Sequence, residues 1–201
     1  MKRLILASKS PRRDELLSLA GYAHEVLVSD ADETVPEGTG VAEGAVEVSK
    51  RKARAVIGAT DGERVVVAAD TVVEACGEVF GKPKDARDAE RMLRAMSGGK
   101  HFVHTGVTVT DGTRYLSEAV TTEVKMRELD ESEIMGYIDS GEPFDKAGAY
   151  GIQGIAGTFV ERLEGDYFNV VGLPLCTVSG MLKEFGVELF PDLAISERKN
   201  K

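Results

Sequence analysis

Val65-Val66-Val67-Ala68-Ala69 is an unbroken apolar run that stops abruptly at Asp70. A strand without polar alternation has to be covered on both faces, which commits the chain to a sheet flanked by other layers. A second short run, Leu4-Ile5-Leu6-Ala7, reads as a buried first strand and passes directly into Ser8-Lys9-Ser10-Pro11-Arg12-Arg13. Ser10 suits a helix N-cap, and Pro11 suits the first helical position, where its missing N–H costs nothing. The segment therefore predicts a strand, a tight turn and a helix start. It gathers free backbone N–H groups, two hydroxyls and three cations at one point. A helix N-terminus carries partial positive charge and suits an anion. Two readings stand at this stage: a capped helix with solvated basic residues, or a polyanion site.

The rest of the chain alternates strand and helix patterns. Arg12 to Ala20 carries Leu16, Leu17 and Leu19 at helical spacing and stops at Gly21. His24 to Val28 reads as a strand, Asp30 to Gly44 as an acidic loop, and Ala45 to Ile57 as a helix. A strand spans Arg64 to Val73, and Asp85 to Met96 has Ala89, Met92, Leu93 and Met96 on one side of a helix. Val103–Val109 and Tyr115–Met126 alternate around Asp111-Gly112, a hairpin signal. A helix from Asp130 to Ile138, a Gly-rich stretch from Gly141 to Gly157, a strand from Thr158 to Leu163 and a helix between Pro174 and Gly186 complete the pattern. The expectation is a mixed α/β sheet with flanking helices, one domain over 1–190, and a charged tail over 191–201.

Charge narrows the partners. The chain carries a net charge of −9, which disfavours stable nucleic-acid binding. A basic pocket inside an acidic protein suits a small polyphosphate instead. Cys76 and Cys176 form no Cys-x-x-Cys pair, which suggests neither a disulfide framework nor a zinc site. The first apolar run is too short for a signal sequence, and no stretch reaches the length of a membrane span, so the expectation is a cytoplasmic protein without membrane contact.

Several side chains are placed where chemistry would use them. On a helical wheel Lys52 falls in the middle of the face made by Ala45, Val48, Ala55 and Val56. It either snorkels to the edge or faces a pocket as a phosphate ligand. Asp70, at the end of its strand, is either a turn aspartate capping its own backbone or a general base at the ligand-binding end of a sheet. Glu33 lies in the acidic loop, solvated or joining Asp70 on a hard cation. His101 and His104 alternate to opposite faces of a strand and make no metal pair, so both are read as structural or exposed. Gly77 to Pro83 tempts a P-loop reading, but the spacing is one residue short and Pro83 stands where a Ser or Thr is needed. Lys82 remains available to a phosphate as a point charge. Within Glu142 to Gly154, glycines allow close backbone approach, and Gln153 presents a donor beside an acceptor, the complement of a pyrimidine imide edge. A plain flexible loop is the other reading of that stretch.

Together, Leu4-Ile5-Leu6-Ala7-Ser8-x-Ser10-Pro11-Arg12-Arg13, Ser29-Asp30-x-Asp32-Glu33, Lys52-Ala53, Ala69-Asp70-Thr71-Val72-Val73, Gly81-Lys82-Pro83 and Gly165-Asp166-Tyr167-Phe168-Asn169-Val170-Val171-Gly172-Leu173-Pro174 resemble the Maf family of nucleotide pyrophosphatases. The likeness runs in register from about residue 3 to about residue 186. Lys146 to Gly154 looks like the branch acting on dTTP and UTP rather than the branch acting on 7-methyl-GTP. Lys9 replaces a commoner small residue, and His104 a commoner aromatic, neither at a presumed catalytic position. The resemblance implies an inosine-triphosphatase-like fold with two lobes around a central cleft, often homodimeric. It implies house-cleaning hydrolysis of a nucleoside triphosphate to monophosphate and pyrophosphate, dependent on a divalent cation such as Mg²⁺ or Mn²⁺. It assigns Asp70 as general base, Ser8, Arg13, Lys52 and Lys82 to the phosphates, Arg12, Thr71 and Gln153 to base specificity, and Glu33 with Asp70 to the metal. The family's link to septum formation leaves a regulator that binds nucleotide without turnover as the alternative. Such a binder would gain nothing from a carboxylate beside anionic phosphates.

Overall fold

The computed structural model describes residues 2–189; the expected domain limit at 190 and the tail 191–201 lie outside them. The strands are β1 (Arg3–Ala7), β2 (Glu25–Val26), β3 (Arg64–Ala75), β4 (Glu78–Phe80), β5 (Lys100–Thr110), β6 (Tyr115–Met126) and β7 (Val160–Glu164). They form one mixed sheet in the order β2-β1-β3-β5-β6-β7, with β4 folded back on the end of β3. The two apolar runs are neighbours at its centre. β1 lies parallel to β3 with Leu4 to Ala7 opposite Val65 to Ala68, and no residue of either run is more than 4% exposed.

Among the described residues the α-helices that cover the sheet's faces are α1 (Pro11–Leu19), α2 (Val41–Gly58), α3 (Ala86–Met96), α4 (Glu131–Asp139), α5 (Tyr167–Val171) and α6 (Leu175–Glu184). Leu16 and Leu17 of α1 and Val178 and Leu182 of α6 pack on Leu4, Leu6, Val65 and Val67. Ala53, Val56 and Ile57 of α2 cover the opposite side chains, Ile5, Ala7, Val66 and Ala68. A third cluster joins Val73, Phe80, Val124, Met92, Leu93 and Ile134 around α3 and α4. Burying one such aliphatic side chain contributes about 1.5–3 kcal/mol. α3 and α4 open at the aspartates where the pattern starts them, and both aspartates act as caps: Asp85 accepts from the Asp88 N–H at 2.8 Å, and Asp130 with Glu133 forms a reciprocal capping box.

Some sequence expectations are corrected. The strand expected over 24–28 shrinks to Glu25–Val26, and α2 begins four residues earlier than Ala45, taking in the end of the acidic loop. Ser10 caps α1 by position only; its side chain makes no capping bond, and the Ser8 hydroxyl instead accepts the Ser10 N–H at 3.1 Å. Leu19 is 75% exposed, because the chain turns back at Gly21 and Tyr22 is instead buried in the cluster of Leu4, Leu16 and Leu17. The Gly-rich stretch is not a plain flexible loop. It folds as the 3-10 turns Glu142–Asp145, Ala147–Ala149 and Ile155–Phe159, tied by the Glu142 carboxylate accepting the Ile155 N–H at 3.1 Å. α5, which the periodicity did not show, is one short turn capped by Asp166. Neither His101 nor His104 is exposed: His101 Nε2 lies 2.8 Å from the Tyr150 hydroxyl, and His104 bridges Thr121 and Glu74.

Candidate active site

β3 is longer than its neighbours, and that mismatch makes the site. Its pairing with β1 ends at Ala68, and its pairing with β4 starts only at Val73. Ala69 to Val72 therefore meet no strand on that edge. The gap forms the floor of a cleft of about 700 Å³, at the carboxyl end of β1, where open α/β sheets bind ligands. Ser8, Arg12, Arg13, Glu33, Lys52, Asp70, Thr71, Lys82 and Gln153, every site candidate of the sequence, line this one cleft.

Lys52 resolves one open choice. Its side chain is 11% exposed and does not snorkel to bulk solvent; the ammonium sits 2.7 Å from Asp70 Oδ1 and 2.9 Å from Glu33 Oε1. α2 brings it there because it lies almost on the backbone of β5. A Cβ on Gly106, which pairs with Asp70, would stand 2.3 Å from the backbone of Ala45. Only glycine permits that approach. Asp70 is 15% exposed, and its Oδ2 makes no hydrogen bond among the described residues. It is therefore not a turn aspartate capping its own backbone. Burial pushes the Glu33 carboxyl up, but the Lys52 bond and the charges of Lys52, Lys82 and Arg13 outweigh it and hold it below the ordinary value.

Arg13 is more than a surface cation. It is buried and clamps three segments: Nε donates to the Gly172 carbonyl at 2.7 Å, Nη1 to the Ala69 carbonyl at 2.8 Å and the Ser8 hydroxyl at 3.4 Å, and Nη2 to Thr71 Oγ1 at 2.9 Å. Of its five N–H donors one has no partner among the described residues. Burial pulls its pKa down, opposed by the charges of Asp70 and Glu33, yet a guanidinium stays protonated. Arg12 reaches across to the Asp145 carboxylate at 2.6 Å, and Lys146 holds the other oxygen of Asp145 at 2.7 Å. Desolvation raises the Asp145 carboxyl, and those two partners bring it below its usual value. Lys82 and Gln153 are exposed at the rim. Sequence reasoning missed Asp145 as the partner of Arg12; the adjacent Asp145-Lys146 charges amid glycines were its only signal.

Among the described residues six basic side chains line the cleft, Lys9, Arg12, Arg13, Lys52, Lys82 and Lys146, against three acidic ones, Glu33, Asp70 and Asp145. A polyphosphate is attracted to such a site even though the protein as a whole is anionic. Among the described residues no group of three or more His, Cys, Asp or Glu could hold a metal by itself. Asp70 and Glu33 nevertheless already share one cation, the Lys52 ammonium. Such a pair of hard oxygen donors fits Mg²⁺, which takes one or two carboxylates and completes its shell with water and substrate phosphates.

A model of the Maf-like protein family matches residues 3–185. The dTTP/UTP pyrophosphatase of Hahella chejuensis is 46% identical over 193 residues, 95% of this chain and 96% of that protein. The dTTP/UTP pyrophosphatase of Chromobacterium violaceum is 48% identical over 191 residues, 93% of this chain and 96% of that protein. Among solved structures, the Staphylococcus aureus Ham1 protein aligns with 62% of this chain and 72% of its own, at 17% identity and a TM-score of 0.43. Among the described residues no helix is long and apolar enough to cross a membrane.

Proposed function

This chain belongs to the Maf family, and from that membership we infer that it hydrolyses dTTP and UTP to the nucleoside monophosphate and pyrophosphate. The observation that carries the reading is Asp70, a carboxylate whose Oδ2 has no partner among the described residues, set in a cleft whose other charged side chains are mostly cations. Lys52 holds Asp70 Oδ1 and leaves Oδ2 for the reaction. A water positioned there gives its proton to Oδ2 while its oxygen attacks the α-phosphorus. The bond from that phosphorus to the bridging oxygen breaks, and pyrophosphate leaves. Lys52, Lys82, the open N–H of Arg13 and the Ser8 hydroxyl stabilise charge growing on the phosphoryl oxygens. The first-turn N–H groups of α1 have no intrahelical partner and serve the same anion. Glu33 and Asp70 would hold a divalent cation, Mg²⁺ or Mn²⁺, which supplies charge neutralisation on the phosphates.

Base choice falls to Arg12, Thr71 and Gln153 in this reading, with the Gln153 amide matching the carbonyl and N3–H of thymine and uracil. A cytoplasmic location and a homodimer complete it; the two exposed free thiols, Cys76 and Cys176, suit a reducing compartment. The test is incubation of the purified protein with a nucleotide panel and Mg²⁺ or Mn²⁺, with products separated by anion exchange. UMP or dTMP with pyrophosphate supports the reading. A diphosphate with orthophosphate, or no turnover, overturns it.

A further inference from the structure

Thr71 opens onto the cleft with a hydroxyl whose hydrogen bonds are already dictated. Thr105, its directly paired neighbour on β5, is fully buried and outside the cleft lining. The Thr105 hydroxyl donates to the Asn169 carbonyl at 3.0 Å, and a carbonyl can only accept. A hydroxyl has one proton, so in the 2.9 Å contact between the two threonines Thr71 must be the donor. Arg13 Nη2 donates to Thr71 Oγ1 at 2.9 Å and fills one lone pair. One lone pair remains and no proton. Gly172 keeps that oxygen reachable, since a Cβ there would stand 3.5 Å from Thr71 Oγ1, and its φ of +124° is one that other residues rarely adopt.

We propose that Thr105 is a specificity-positioning residue: by consuming the Thr71 proton it makes Thr71 accept-only toward the ligand, so the ligand group at Thr71 must be an N–H or O–H donor. This rests on the nucleotide reading above. Phosphate oxygens are acceptors and gain nothing there. The imide N3–H of uracil and thymine is a donor that Thr71 Oγ1 and the Gln153 amide oxygen can share, whereas N3 of cytosine is a bare acceptor and meets a second lone pair. The source of selectivity is therefore the direction of one buried hydroxyl, set a residue away from the cleft. A sugar hydroxyl shares the donor chemistry, and the experiment separates the two.

The kcat/KM values for UTP, CTP and 3′-deoxy-UTP are compared in the wild type, Thr105→Val, Thr105→Ser and Thr71→Val. In Thr105→Val the Thr71 proton is released, so kcat/KM for CTP rises about tenfold, the worth of one hydrogen bond, while that for UTP does not rise. Core damage alone lowers both. Thr105→Ser keeps the hydroxyl and restores the wild-type ratio. Thr71→Val, which removes the acceptor itself, lowers kcat/KM for UTP about tenfold relative to that for CTP. The assignment is overturned if CTP and UTP fall in parallel in Thr105→Val, or if serine does not rescue. A change confined to the UTP to 3′-deoxy-UTP ratio places Thr71 on the sugar and overturns the base assignment. A wild type inert toward UTP and dTTP overturns the nucleotide reading and this one with it, whereas an active wild type whose ratios no variant moves overturns this one alone.

Discussion

Arg13→Ala separates a surface phosphate ligand from a structural clamp. The sequence motif presents Arg13 as one of several cations at a helix start, and its loss would then cost activity without stability. The structure shows its guanidinium satisfying the Gly172 and Ala69 carbonyls, both on buried residues, besides two hydroxyls. Each buried carbonyl left without a donor costs about 1–3 kcal/mol, and two give about 2–6. The adjoining cleft lets water reach the vacated space, which favours the lower half, about 2–4 kcal/mol. For a domain of this size each kcal/mol moves Tm by about 2–4 °C, so Arg13→Ala should melt about 4–16 °C lower. Calorimetry and urea unfolding at pH 7.5 measure it, with phosphate and nucleotide absent so that ligand linkage does not contribute. A Tm within about 2 °C of wild type, with activity lost, would refute the clamp and return Arg13 to a purely phosphate-binding role.

Asp70→Asn should lower kcat by about two to four orders of magnitude while nucleotide still binds, as single-turnover and equilibrium binding measurements will show; near-normal turnover removes Asp70 as general base. Lys52→Ala leaves the Asp70 and Glu33 carboxylates facing one another without their shared cation and should depress kcat/KM for UTP; full activity would mean that Lys52 does not contribute to the phosphate site. Gln153→Leu should depress dTTP and UTP hydrolysis more than that of poor substrates, because a site built on base hydrogen bonds rejects mismatches through its unpaired groups; unchanged ratios across the panel show that Gln153 does not read the base. Burial holds the His101 imidazole down to about 4 from 6.5. The unfolded chain takes up that proton first, so stability is whole above pH 6.5 and declines by about 3 kcal/mol as pH falls toward 4. His101→Gln, which cannot titrate, should show a flatter acid limb in urea midpoints, and parallel limbs would contradict the assignment.

Local periodicity and short motifs carried much of this protein on their own. The runs at Leu4 and Val65 announced a covered sheet, Asp85 and Asp130 announced helix starts, and Lys52 stood out because a charge at a core position of one helix is an anomaly visible within a few turns. Each is a short-range pattern, and short-range patterns survive without the fold. The motifs also named nine cleft residues and, through the family resemblance, a role for each, but not the contacts each one makes. Whether Lys52 reached solvent or Asp70 depended on how closely α2 lies on β5, which Gly106 permits from more than fifty residues away. Arg13 became a clamp because Ala69 and Gly172, far apart in the chain, present carbonyls to one guanidinium. The polarity of Thr71 is settled by Thr105 and by the backbone of Asn169, through a chain of bonds spanning β3, β5 and α5. Residue types and spacing list the donors and acceptors; only tertiary structure decides which of them meet, because a hydrogen bond has a direction and a reach of about 3 Å that no linear pattern encodes.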